Sequence, residues 1–219
     1  MFSRPPVAKH QILKTNDPHI ASHAFSREFA PHNIEVIGRR KLFYYLPHKA
    51  HFANIDLCHT HYGPEVKIWS EALRNHYLVY IPITGRIRLT ADSRTIEISP
   101  GEIAIANVFN GISLHRLDNH ILLAVKFRRV DLDCHAYLST DNSSRRPIKP
   151  RADRPINFEE CPILVRLIDL IQSDVFRTHI VRRGVGDDRV SLRDPRPTVR
   201  RVQRRLMSQC RFGRYPRPA

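Results

Sequence analysis

The sequence predicts a mainly β fold: an antiparallel barrel or sandwich followed by one or two helices. Three observations predict it. Apolar residues recur with a period of two from Asn33 to Arg129, as half-buried strands require, because successive side chains point to opposite faces. Turn residues punctuate that stretch at roughly ten-residue intervals, the spacing of short strands in all-β architectures. After Arg129 the apolar period lengthens towards that of a helix.

Residues 1–24 read as an N-terminal extension, 25–176 as the folded domain and 177–219 as a basic tail. Residues 51–61 read as a strand on which Ile55, Leu57, His59 and His61 share one face. The apolar members suggest that this face points into the barrel. On the next strand Val66 and Ile68 are the buried pair, which turns Glu65 outward beside Lys67. Ile87 and Leu89 alternate with Arg86, Arg88 and Thr90, and Ile103 and Ile105 with Glu102, Ala104 and Ala106. Ile121, Leu123, Val125 and Phe127 alternate with Leu122, Ala124, Lys126 and Arg128. Turn signals fall between these runs at Gly63-Pro64, Gly85, Asp92-Ser93, Pro100-Gly101, Asn110-Gly111 and Asp118-Asn119.

The stretch "VDLDCHAYLSTD" then predicts a short helix with Asp131 as its N-cap. A loop rich in proline and arginine follows, and "INFEE" returns one strand to the sheet. Pro162 to Phe176 predicts a helix, with two glutamates ahead of it to suit its positive end. Ile163, Leu167 and Leu170 form one stripe, flanked by Leu164, Ile168, Ile171 and Val175. So wide an apolar face packs on a barrel or on a second subunit. Leu164, Leu167, Ile168 and Ile171 are therefore candidate association residues.

Composition narrows the class. The chain has 219 residues, 42% of them apolar, enough for a real core. No apolar run approaches the roughly 18 residues that span a bilayer, and the N-terminus lacks the apolar segment of a secretion signal. Four scattered cysteines, none in a C-x-x-C pair, read as reduced thiols of a cytoplasmic protein. The net charge is +15, yet residues 176–219 hold thirteen arginines, no lysine and three acids, and so carry +10 of it. The body is only mildly basic. The tail would bind phosphate non-specifically, but it offers no structured element for reading bases.

One motif carries chemistry. "LCHTHYGPEVKIW" contains His59, His61 and Glu65 in the spacing H-x-H-x3-E. Two imidazoles two residues apart on a barrel strand can begin a metal site, with His115 as a fourth ligand. Against this, Glu65 falls on the outward face and the flanking glycines of such motifs are replaced by Ala53 and Ala72. The preferred expectation is no metal, with His59 and His61 lining a pocket. There is no G-x-S-x-G, P-loop or G-x-G-x-x-G. Cys58 and His59 are strand neighbours on opposite faces and form no dyad.

The run "HYLVYIPITGRIRLTADSRTIEISPGEIAIANVFNGISLHRL" resembles the sensor domain of AraC/XylS-type bacterial transcription regulators, especially the AraC-binding-like subgroup. The shared features are Pro82 to Gly85, the Ile98 to Gly101 turn, the preceding "HYGPEVKI", the strand and helix of "LLAVKFRRVDLDCHAYL", and "PINFEECPILVRLIDLI". The resemblance covers roughly Phe25 to Val175. It implies a small cupin-like barrel that binds an effector or mediates association, without catalysis, cofactor or metal. The candidate pocket residues are then His59, His61, Trp69, Tyr80 and His115. The implied partners are an unidentified small-molecule effector and a second copy, or a full-length relative, through the association helix. Such regulators continue into two helix-turn-helix units, for which residues 177–219 have neither pattern nor room. This chain alone is expected to bind no DNA sequence specifically.

The abrupt change to arginine- and proline-rich, lysine-free sequence resembles translation in an altered reading frame of a GC-rich gene. The expected outcome is a helix-turn-helix continuation in another frame of the coding DNA past codon 176. If no other frame encodes one, the altered-frame origin is wrong.

Overall fold

The computed structural model describes residues 11–52, 54–72, 74–91, 93–106, 111–117, 119–139 and 154–170. Among the described residues, eleven strands pair antiparallel into two sheets. The six-stranded sheet has the order β11-β8-β5-β10-β3-β2. Its strands are β2 (Tyr45–Phe52), β3 (Ile55–Tyr62), β5 (His76–Thr84), β8 (Glu102–Ala106), β10 (Ile121–Arg128) and β11 (Ile156–Asn157). The five-stranded sheet has the order β1-β4-β9-β6-β7. Its strands are β1 (His32–Val36), β4 (Val66–Ser70), β6 (Ile87–Ala91), β7 (Arg94–Ile98) and β9 (Ile112–Arg116).

The two sheets face one another across a core. One contributes Tyr45, Cys58, Tyr62, Leu78, Tyr80, Leu122 and Ala124, the other Val66, Ile68, Ile87, Leu89, Ile98, Ile112 and Leu114. Each set lies on every second residue of its strand, so the period of two becomes an inner face. This is a mainly β, cupin-like barrel. The six-stranded sheet is also covered on its other face. Leu57, Val79, Ile81, Leu123, Val125 and Phe127 form a second cluster there with Val165 and Ile168. These last two belong to a helix, α3, described over 162–170. Burial on both faces explains the unbroken apolar run from Tyr77 to Ile81.

Helix α1 (Pro18–Glu28) starts where its sequence says it should. Asp17 accepts a hydrogen bond from the His19 N–H at 2.7 Å, and Pro18 fills the first turn. Phe25 and Phe29 stack at 4.4 Å and pack on the inter-sheet core. Ahead of α1, Gln11 and Thr15 bridge to His48 and Tyr45 at the edge strand β2. The sequence boundary at residue 24 thus falls inside a helix, and the domain extends N-terminal of it.

Helix α2 (Arg129–Ser139) begins two residues before the expected cap. Asp131 lies in its first turn and pairs with Arg128 at 2.9 Å rather than capping. The return strand is present as β11, paired with β8. Gly85 closes the β5–β6 turn at φ +68°, where a Cβ would come within 3.3 Å of the His120 ring. Only glycine takes that backbone without strain. Cys58 and Cys161 are free thiols, whereas Cys134 is disulfide-bonded, contrary to the expectation of four reduced cysteines. Among the described residues no helix is long and apolar enough to cross a membrane. Ile171, Val175 and the basic tail lie outside the described residues.

Candidate functional site

The sequence places His59 and His61 with Leu57 on one face of β3, and the structure keeps them together. That face is not the barrel interior. Cys58 and Tyr62, in the opposite phase, belong to the inter-sheet core, while Leu57 packs in the outer cluster under α3. His59 is buried on the outer face, beside His48 of β2 with ring centroids 6.2 Å apart. His61 is half-buried, with its Nε2 2.8 Å from the Tyr44 hydroxyl. Apolar neighbours misassigned the face because both faces of this sheet are apolar.

Trp69 and His115 lie on the outward face of the five-stranded sheet. Their strand neighbours Ile68, Leu114 and Arg116 are the buried ones. Trp69 is 39% exposed, with the Lys67 Nζ 4.9 Å from its ring centroid. His115 Nε2 pairs with the Glu65 carboxylate at 2.5 Å. Of the five candidate pocket residues, Tyr80 alone faces the core. The alternative metal set is divided in the same way. His59 and His61 lie outside one sheet, Glu65 and His115 outside the other, and the four do not converge. Among the described residues no three His, Cys, Asp or Glu side chains come together as a metal site.

What does converge in the interior is a group that the motif search missed. Arg116, at the end of β9, is 1% exposed. Its Nε donates to His120 Nδ1 at 3.0 Å and its Nη1 to Thr60 Oγ1 at 2.8 Å. Its Nη2 donates to the carbonyls of Thr60 and His120 at 2.9 and 3.2 Å. The guanidinium lies 4.4 Å over the Tyr62 ring. No acid among the described residues pairs with it. The signal was present, since Arg116 continues the phase of Ile112 and Leu114. An arginine ending a strand ordinarily reads as a solvated rim residue.

Charge follows from this burial. Desolvation lowers the Arg116 pKa to about 10, partly offset by Tyr62, Tyr45, Cys58 and Tyr80. Burial lowers the His59 pKa to about 3, with His48, Arg116 and His61 adding to the effect. His120 is depressed further by burial and then Arg116, and His61 is depressed by the same two causes. All three imidazoles are neutral at neutral pH. At one end of the barrel Asp56 meets the Lys126 Nζ at 2.7 Å and the His51 Nδ1 at 2.6 Å. Burial pushes its carboxyl up, but these partners outweigh it and hold the group below the usual range.

Two facing antiparallel sheets around a buried arginine and tyrosine core define a cupin-like barrel domain. A profile of the AraC-binding-like domain matches residues 21–178. The chain belongs to the AraC-binding-like domain family. Its fold is similar to that of the AraC-like transcriptional activator CuxR, with a TM-score of 0.54 at 14% identity over 90% of this chain and 78% of that one. Shorter matches include KdgF from Halomonas sp. (TM-score 0.35, 13% identity, 40% of this chain and 84% of that one). A cupin superfamily protein from Desulfitobacterium hafniense DCB-2 matches at 0.34 (13% identity, 38% and 77%). A sequence search of curated proteins returned no match.

Arg116→Ala leaves two buried carbonyls and the Thr60 hydroxyl without their donor and opens a void. The expected loss is about 3–5 kcal/mol of unfolding free energy, measured by urea denaturation; a loss under about 1 kcal/mol would contradict the role given to Arg116. Stability is also expected to depend on pH. The unfolded chain protonates these histidines below about pH 6.5, while the folded chain resists protonation down to about 3 at His59. The His59 contribution is therefore complete above 6.5 and falls as pH drops towards 3, by up to about 1.4 kcal/mol per pH unit. Denaturation from pH 7 to 4 checks this, and His59→Gln is expected to flatten the slope.

Proposed function

We propose that this chain is the effector-sensing and association module of an AraC-type transcription regulator, a cytoplasmic protein that acts without catalysis. Membership of the AraC-binding-like family carries the reading, and the likeness of fold to an AraC-like activator supports it. One feature of the surface fits association in particular. Helix α3 buries Val165 and Ile168 on the barrel and turns Ile163, Leu167 and Leu170 outward, at 84%, 44% and 55% exposure. Spacings of four and three residues align these three on one stripe. An exposed apolar stripe on an anchored helix favours a partner, here a second copy or a full-length relative.

The helix thus divides its labour. Ile168 is fully buried and Leu164 half-buried against the sheet, so both act in packing, while Leu167 is available for contact. Ile171 lies outside the described residues.

Sedimentation at rising concentration tests association. The wild-type chain is expected to form a dimer, and Leu167→Glu to weaken it by at least about tenfold, or about 1.4 kcal/mol, with its unfolding midpoint little changed. Val165→Ala is expected to do the reverse, lowering stability by about 1–3 kcal/mol without a direct effect on dimerisation. A wild-type chain that stays monomeric, alone and beside a full-length relative, would refute the proposal.

A further inference from the structure

Helix α1 carries His19 and His23, four residues apart. On a helix that spacing stacks two side chains on one face, with Cβ atoms about 5–6 Å apart. Both residues are exposed, so both rings are open to a solute. Both also line a cleft of about 820 Å³ between α1 and the edge of the five-stranded sheet. Among the described residues no hydrogen bond or ion pair engages either ring.

The frame beneath the pair is already built. Asp17 caps the helix by accepting from the His19 N–H, which fixes the first turn. Ala21 and Phe25 fall on the opposite side of the helix and pack on the inter-sheet core. The two imidazoles therefore stand on a helix whose backbone is held from both its end and its back. Such a pair chelates: once one nitrogen binds an ion, the second is at high effective concentration beside it. Imidazole suits copper, nickel and zinc, and copper(II) heads the affinity order of the divalent ions. Magnesium and calcium call for several oxygen ligands and gain little from two rings.

We propose that His19 and His23 form a two-imidazole site on α1 for a divalent transition ion, copper(II) above zinc(II), with the remaining coordination positions open to the cleft. The site is separate from the H-x-H-x3-E motif, whose members diverge. It goes beyond the association reading and does not depend on it. A bound ion clamps the first two turns of α1, the helix that covers one part of the core.

Trp69 lines the same cleft and is the one tryptophan in the sequence, so quenching of its emission by copper(II) reports on the site. The full chain is titrated with copper(II) chloride and, in parallel, with magnesium chloride. Copper(II) is expected to quench Trp69 saturably and magnesium to leave it unchanged. His19→Gln and His23→Gln are each expected to weaken the copper(II) response by at least about tenfold, because each removes the chelate. Glutamine is a good helix former and both positions are exposed, so both variants are expected to keep the metal-free unfolding midpoint. Zinc(II) is expected to raise that midpoint in the wild type and not in either variant. His115→Gln, on the outward sheet face that also holds Trp69, is expected to leave the quenching intact. Unsaturable quenching, wild-type affinity retained in either α1 variant, or loss of the response in His115→Gln with the α1 pair intact would each overturn the proposal.

Discussion

A guanidinium sealed inside a β barrel, with no carboxylate beside it among the described residues, is the constraint around which this domain is arranged. Burying a charge is expensive unless its donors are satisfied and its field is met by dipoles. Arg116 meets both conditions with two carbonyls, one hydroxyl, one imidazole nitrogen and one aromatic face. The side chain starts on β9 of the five-stranded sheet and ends on Thr60 of β3 in the six-stranded one. Those bonds tie the two sheets together through the core. They also hold strand register, since a slip of one residue on either strand would turn Arg116 or Thr60 outward. The neighbourhood adapts to the cation. His120 presents an unprotonated nitrogen to it, and Gly85 leaves room for the His120 ring.

The six-stranded sheet carries the other half of the design. Its inner face closes the barrel and its outer face is the platform for α3. Because the platform is apolar, α3 spends Val165 and Ile168 on it. The opposite stripe, with Ile163, Leu167 and Leu170, is left exposed. The fold so produces two surfaces of different kinds: an apolar stripe suited to protein contact, and a polar, aromatic cleft beside α1 at the edge of the other sheet.

Strand patterning was legible wherever one face alone is buried. Val66 and Ile68 read as the inward pair of β4, and Glu65 as excluded from their face, because the polar residues between them mark the outside. The same reasoning failed on β3. His59 and His61 keep company with Leu57, but Cys58 and Tyr62 on the other face are equally buried, so alternation does not say which face is inside. The candidate pocket failed with it, and Trp69 and His115 proved to lie outside the other sheet. Arg116 was in phase with the core residues Ile112 and Leu114, but composition argues that arginine belongs in water.

The sequence by itself determined the class of fold, the helix that follows the barrel, the return strand at Ile156 and the family. These rest on local periodicity, turn chemistry and the order of short patterns, which operate within a few residues of one another. Tertiary structure decided which of two apolar faces is interior, which half of α3 is spent on packing, and that a cation lies in the core. Those outcomes depend on groups far apart in the chain: Thr60 against Arg116, Leu57 against Ile168, and α1 against Trp69. No local pattern encodes such pairings, because the free energy that selects them arises only when both sheets and their covering helices are in place.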